Sequence, residues 1–362
     1  MDNHSIREAI GRLREILVTS QVQREFQAMS DAKNSVMARF QPIFRLDQVG
    51  SLSEPDMRDF LQFKHNQHWT GLQRLGPKIC SDIPRLRKAM SILLDETRSI
   101  EDRLNNIIPI KGNNLVKGLG RAVLTPILLI AYPDRYCVWN NTSDGALQIL
   151  GIHPTFDKKD SFGAKYVKVN SVLCQLAEQL EMDHWTLDSL LWQVKPESED
   201  SSVVEAISSR ADAAASTSQT EPRGALLEKH LHDYLVDNWD AIPLGKDWMI
   251  YEEEGAPEAG SEYVCAVGRI DILARHRSEP RWLVIELKRN EGTDTVAGQL
   301  CRYMGWVKMH LANAGDTVEG MIIAHDADDS LWYAVSMVQG ASVQLYEVKF
   351  HLKPVSAPAA KR

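Results

Sequence analysis

Asp271, Glu286 and Lys288 are the residues of this 362-residue chain whose types and spacing suit a reaction. They sit in two apolar runs, GRIDIL and WLVIELKRN. Ile270, Ile272 and Leu273 flank Asp271; Leu283, Val284, Ile285 and Leu287 surround the other two. A charge inside a buried strand is costly unless it is paired or bound to a metal. Glu286 and Lys288 lie two residues apart and so share one face of a strand. If the two runs form a hairpin, Asp271 reaches that face as well. Two carboxylates and an ammonium group there suit metal-assisted phosphodiester cleavage. Hard Mg²⁺ or Mn²⁺ prefers carboxylate oxygens, keeps several waters and binds phosphate. Such an ion lowers the pKa of a bound water, and a nearby lysine stabilises developing negative charge. The bland alternative is a plain ion pair of Asp271 with Arg269 or Lys288 at a strand end.

The elements that must position these groups follow from periodicity. Leu227, Leu231, Tyr234 and Leu235 predict a helix over 224–238. Strands are predicted over 248–251, 263–274 and 282–287, from β-branched and aromatic content. A helix over 296–311 follows, with Leu300, Tyr303, Met304 and Val307 on one face. Then come a strand over 318–324, a helix capped by Asp329 or Ser330 and stopped near Gly340, and a strand over 343–350. This order is an α/β (α+β) domain on one mixed sheet.

Asp271, Glu286-Leu287-Lys288 and this element order resemble the PD-(D/E)xK nucleases. More narrowly, GRIDIL, VIELKRN and AGQLCRYMGWV in succession resemble the nuclease domain of NucS-type endonucleases. The resemblance covers about 226–350. It implies a restriction-endonuclease-like αβββαβ domain. It also implies Mg²⁺- or Mn²⁺-dependent endonucleolytic hydrolysis of DNA, in a repair, restriction or defence setting. Asp271, Glu286 and the Leu287 carbonyl would be metal ligands, and Lys288 the catalytic lysine. Glu228 matches an acidic residue that supports the metal through water. Gln299 and Tyr303 would face the site from the following helix, Tyr303 toward DNA, and Arg269 would meet phosphate. Single-stranded, branched or mismatched DNA are the implied substrates, and a homodimer the implied assembly. The alternative reading is a non-catalytic nucleic-acid-binding protein that keeps the fold.

The front of the chain departs from that family. Apolar spacing predicts helices over 6–17, 56–63, 83–94, 116–131 and 172–180, with Ser81 or Asp82 and Thr142 or Ser143 as caps. Residues 1–195 therefore read as a helical recognition domain and 224–352 as the nuclease domain. The Ser-, Ala- and Glu-rich stretch 196–223 reads as a flexible linker and 353–362 as a tail. Lys117-Gly118-Leu119-Gly120 ahead of an apolar helix resembles the helix-hairpin-helix of base-excision DNA glycosylases. There Lys117, Gly118 and Gly120 would hold the DNA backbone. The glycosylase aspartate falls on Asn140, which cannot serve as a carboxylate. A packing hairpin that uses glycine for its turn is the competing reading. His65 and His68 have a metal-like spacing but no further ligand nearby in sequence, so a packed or surface pair is the reading preferred.

Composition sets the remaining bounds. The net charge is −8, which excludes a histone-like or polybasic protein. It divides unevenly: residues 1–195 carry +3 and residues 221–362 carry −7. The acidity thus lies in the half that needs carboxylates. The five cysteines are far apart and form no CxxC pair, so neither a disulfide framework nor a cysteine zinc site is expected. No signal-peptide pattern or long apolar run occurs, and a cytoplasmic protein without membrane contact is expected.

Overall fold

A computed structural model describes residues 3–19, 31–111, 113–194, 231–253, 255–292 and 294–347. Glu228, the linker expected over 196–223 and the tail 353–362 lie outside these residues. Within the described residues up to 194 the secondary structure is helical. The longer helices are Asn3–Val18, Ile83–Leu93, Arg121–Ala131 and Phe162–Gln179, with shorter ones between. One apolar cluster runs from Ile6 to Val194 and joins them. Arg121–Ala131 lies deepest, with every residue from Arg121 to Ile130 buried. That is why its sequence is apolar all round.

Side-chain caps fix several helix starts. Asp82, Ser99, Asn140, Ser161 and Asp183 each accept a backbone N–H from the first turn. The cap expected at Thr142 or Ser143 is Asn140 instead. Its side chain accepts the Ser143 N–H at 3.0 Å, while Ser143 Oγ accepts the Asn140 N–H at 2.9 Å. The helix expected from 116 begins only at Arg121, because Gly118 turns the chain at φ +81°.

The C-terminal region is a six-stranded mixed sheet: β1 (Trp248–Ile250), β2 (Ser261–Cys265), β3 (Gly268–His276), β4 (Arg281–Gly292), β5 (Thr317–Ala327) and β6 (Ala341–Leu345). Its order is β1-β3-β4-β5-β6, with β2 also on β3. β3 pairs antiparallel with β1, β2 and β4, whereas β4, β5 and β6 run parallel. Helix Asp294–His310 makes the crossover that parallel pairing of β4 and β5 requires. β4 is covered on both faces, so it reads as an apolar run rather than an alternation. Trp282 and Val284 pack with Leu300, Tyr303 and Val307. Leu283, Ile285 and Leu287 pack with Val236 and Trp239.

Two expectations change here. Four strands, not three, precede the crossover helix, since the run 263–274 is folded into the β2–β3 hairpin. Gly268 permits the turn: its φ is +135°, and a Cβ there would lie 2.5 Å from the Tyr303 hydroxyl. The last helix is capped by Asp328, which accepts the Leu331 N–H at 2.7 Å, rather than by Asp329 or Ser330.

β1 and β2 lie end to end along the same edge of β3. Between them the chain leaves the edge at Tyr251 and returns at Gly260, where the Gly260 N–H donates to the Tyr251 carbonyl at 2.7 Å. This excursion docks on the helical region. The Arg121 N–H donates to the Gly255 carbonyl at 2.7 Å. Asn141 Nδ2 donates to the carbonyls of Glu258, Ala259 and Ser261 at 3.1, 3.1 and 2.8 Å. The Arg121 guanidinium lies 3.4 Å from Asp144, 3.3 Å from Glu258 and over the Trp139 ring. Burial would raise the Asp144 carboxyl, but Arg121 and His153 outweigh it and hold it at about 2.

Candidate active site

The pairing of β3 with β4 sets Ile272 opposite Ile285 and Leu273 opposite Val284. One step further along the ladder, Asp271 comes opposite Glu286. The Leu287 N–H donates to Asp271 Oδ2 at 2.7 Å and fixes that carboxylate. Lys288 Nζ donates to Glu286 Oε1 at 3.0 Å. Glu286 is 1% exposed, while Lys288 keeps a quarter of its side chain in solvent. Immediately after Lys288 the pairing of β4 with β5 shifts register. A bulge there re-aims the strand just past the three residues.

Two groups not expected from the sequence join them. Glu262 lies on β2 between Ser261, paired with Ile272, and Tyr263, paired with Ile270, so it comes level with Asp271 from the other side. His232, in the helical stretch 231–237, places Nε2 3.2 Å from the Asp271 backbone carbonyl and 3.3 Å from Ser261 Oγ. Burial pushes the Asp271 carboxyl up. The Leu287 N–H, Lys288 and His232 pull it down by less, and the Glu262 charge adds to the rise. For His232, burial disfavours the proton, but Asp233, Glu262 and Asp271 more than offset it and raise its pKa. A signal for His232 was present in the sequence: it follows Glu228 by four residues, the spacing of one helical turn. Glu262 became visible only once the turn at 266–267 fixed the β2 register.

Other expected residues are placed differently. Gln299 Nε2 donates to the Tyr303 hydroxyl at 3.2 Å, but Tyr303 is wholly buried beneath Gly268. Its expected contact with DNA is therefore corrected to a packing role. Arg269 is 40% exposed and pairs with Glu262 at 3.6 Å. Lys117 is exposed, and Gly118 packs on Lys78. Gly120 is buried against Pro257, and the adjacent Arg121 N–H is taken by the Gly255 carbonyl. The hairpin glycines Gly118 and Gly120 thus form a joint within the molecule rather than an open phosphate cradle, which corrects that expectation. His65 and His68 go to separate partners, His65 to Arg39 and Asp59 and His68 to the buried Asp188.

A shallow cleft lies between the helical region and the sheet. Trp69, Arg74, Asn141 and Trp192 line one side, and His232 and Glu262 bring it to the edge of the carboxylate site. The Nε and Nη2 of Arg74 are buried there without a hydrogen-bond partner. Among the described residues no helix is long and apolar enough to cross a membrane.

The donor set fits a hard divalent cation. Asp271 and Glu286 come opposite one another on β3 and β4, with Lys288 on Glu286, and the ligating atoms of both carboxylates are oxygens. Asp271 is raised by burial, which marks negative charge that the surrounding protein does not fully compensate. Asp271, Glu286 and the Leu287 carbonyl would hold such an ion.

No curated protein matches the sequence. A solved structure, the crystal structure of a repair endonuclease from Pyrococcus abyssi, is similar at 17% identity and a TM-score of 0.27. The match covers 37% of this chain and 50% of that one, so the chain spans half the length of that protein. Residues 247–348, which hold all six strands and the Asp271–Glu286–Lys288 constellation, match the family model of the endonuclease NucS C-terminal domain.

Proposed function

We propose that the C-terminal region is a divalent-metal-dependent phosphodiesterase and that the protein is a DNA endonuclease. The observation that carries this is the convergence of Asp271, Glu286 and Lys288 on adjacent strands within the segment that matches the NucS nuclease domain. A bound Mg²⁺ or Mn²⁺ ion would supply an acidified water and neutralise phosphate charge. The residues do the rest. The Leu287 N–H keeps the Asp271 carboxylate in one orientation. Glu286 anchors Lys288 Nζ at 3.0 Å, and its ammonium group would stabilise charge that develops on a bound phosphate. Arg269, partly exposed at the start of β3 beside Glu262, would meet a neighbouring phosphate. The helical region supplies recognition, through Lys117 and the cleft that ends at His232.

Incubation of the full chain with plasmid, mismatched, branched and single-stranded DNA tests this, in Mg²⁺, Mn²⁺ or EDTA. Cleavage in metal, none in EDTA, and a loss of about 10²–10³-fold in Glu286→Ala and Lys288→Ala are expected. Cutting by both variants at the wild-type rate would refute the proposal.

A further inference from the structure

A second cluster of ligating groups lies in the helical region, away from the carboxylates. Cys137, Cys174 and His184 bring one sulfur, one sulfur and one ring nitrogen within 4.8 Å of one another. Cys137 Sγ and Cys174 Sγ are 3.8 Å apart. Cys137 follows the Arg121–Ala131 helix in the loop toward Asn140, Cys174 lies within Phe162–Gln179, and His184 opens His184–Leu191. Cys137 is buried, while Cys174 and His184 are half-buried. Among the described residues the buried His184 Nδ1 has no hydrogen-bond partner, and the ring lies beside the Cys174 sulfur.

We propose that Cys137, Cys174 and His184 bind a zinc ion. Two thiolates and an imidazole are the donor set that this borderline-soft ion takes, and the hard cations of the carboxylate site do not. The spacing agrees. Two sulfurs, each about 2.3 Å from one ion at the tetrahedral angle, lie about 3.8 Å apart. The half-buried Cys174 and His184 leave the fourth position open to water. The Arg135 carbonyl, 3.9 Å from Cys174 Sγ, borders the same place. The ion ties the segment before Asn140 to two helices. Asn140 caps the helix from which Asn141 holds the junction with the sheet, so the zinc stiffens the side of the helical region that grips the 251–260 excursion.

Cobalt substitution tests this on the full-length protein, stripped with chelator and kept reduced. Titration with Co²⁺ is expected to give sulfur-to-cobalt charge-transfer absorption and tetrahedral d–d bands, both erased by Zn²⁺. Cys174→Ser and His184→Gln are expected to weaken binding by about 100-fold or more, beyond what loss of an outer-shell partner costs. Glu286→Ala is expected to bind as the wild type does, which separates this site from the carboxylates. X-ray absorption at the zinc edge of the wild type keeps the test decisive if a variant misfolds. A shell of sulfurs near ~2.3 Å with nitrogen near ~2.0 Å is expected. A cobalt spectrum without the sulfur band, an all-oxygen zinc shell, or undiminished affinity in both variants overturns the proposal.

Discussion

Asp144 at the junction and Asp271 on β3 are both half-buried carboxylates, and their surroundings drive them in opposite directions. Asp144 is held down at about 2 because Arg121 and His153 outweigh its burial. Asp271 is pushed up because the Leu287 N–H, Lys288 and His232 do not outweigh its burial, and Glu262 adds repulsion. One is paired closely enough with Arg121 and His153 to stay ionised, although burial raises its neighbour Glu258. The other is under-compensated and stable enough to be kept only because the rest of the sheet supports it. The first kind of charge ties elements together, whereas a carboxylate of the second kind is a candidate for a functional site.

The comparison predicts opposite outcomes for substitutions that look alike. Arg121→Met leaves the buried Glu258 and the half-buried Asp144 without their shared guanidinium. It should cost about 3–5 kcal/mol, read from the midpoint of urea unfolding. Asp271→Asn should do the reverse: stability within ~1 kcal/mol of the wild type, or above it, with cleavage down about 10²–10³-fold. Were Asp271→Asn as destabilising as Arg121→Met, the distinction between the two regions would fail. A pH series sharpens it further. The folded Asp144 carboxyl sits at about 2 against an ordinary 3.8. Its contribution, about 2 kcal/mol, is therefore fully present above pH ~4 and is lost as pH falls through ~2. Asp144→Asn should remove that slope from the urea midpoint between pH 4 and 2, while the wild type retains it.

Much of this was legible in the residues. The apolar runs around Asp271 and Glu286 announced two buried strands, and the two-residue spacing of Glu286 and Lys288 announced a shared face. The Asp271–Glu286 opposition followed once those strands paired. What could not be read was the break within 263–274, because β-branched residues run through the turn and only Gly268 marks it. Missing that turn hid Glu262. The burial of Tyr303 was hidden for a related reason: spacing puts Gln299 and Tyr303 on one helix face, but the depth of the pair depends on how closely Gly268 approaches. The hairpin glycines were misread because local geometry cannot tell a phosphate from the Gly255 carbonyl at a helix start. Likewise, Cys137, Cys174 and His184 meet only through helix packing, which no sequence spacing expresses.

The excursion between Tyr251 and Gly260 has a consequence for how such a molecule can diversify. It departs from and rejoins one edge of β3, while Glu286 and Lys288 lie on β4 at the other edge. Ten residues therefore act as an adaptor. Rewriting Gly255, Pro257 and Glu258 would fit the same sheet to a different helical partner without moving the ladder that sets Asp271 against Glu286. In this architecture the helical partner and the ladder that sets Asp271 against Glu286 are separately exchangeable parts.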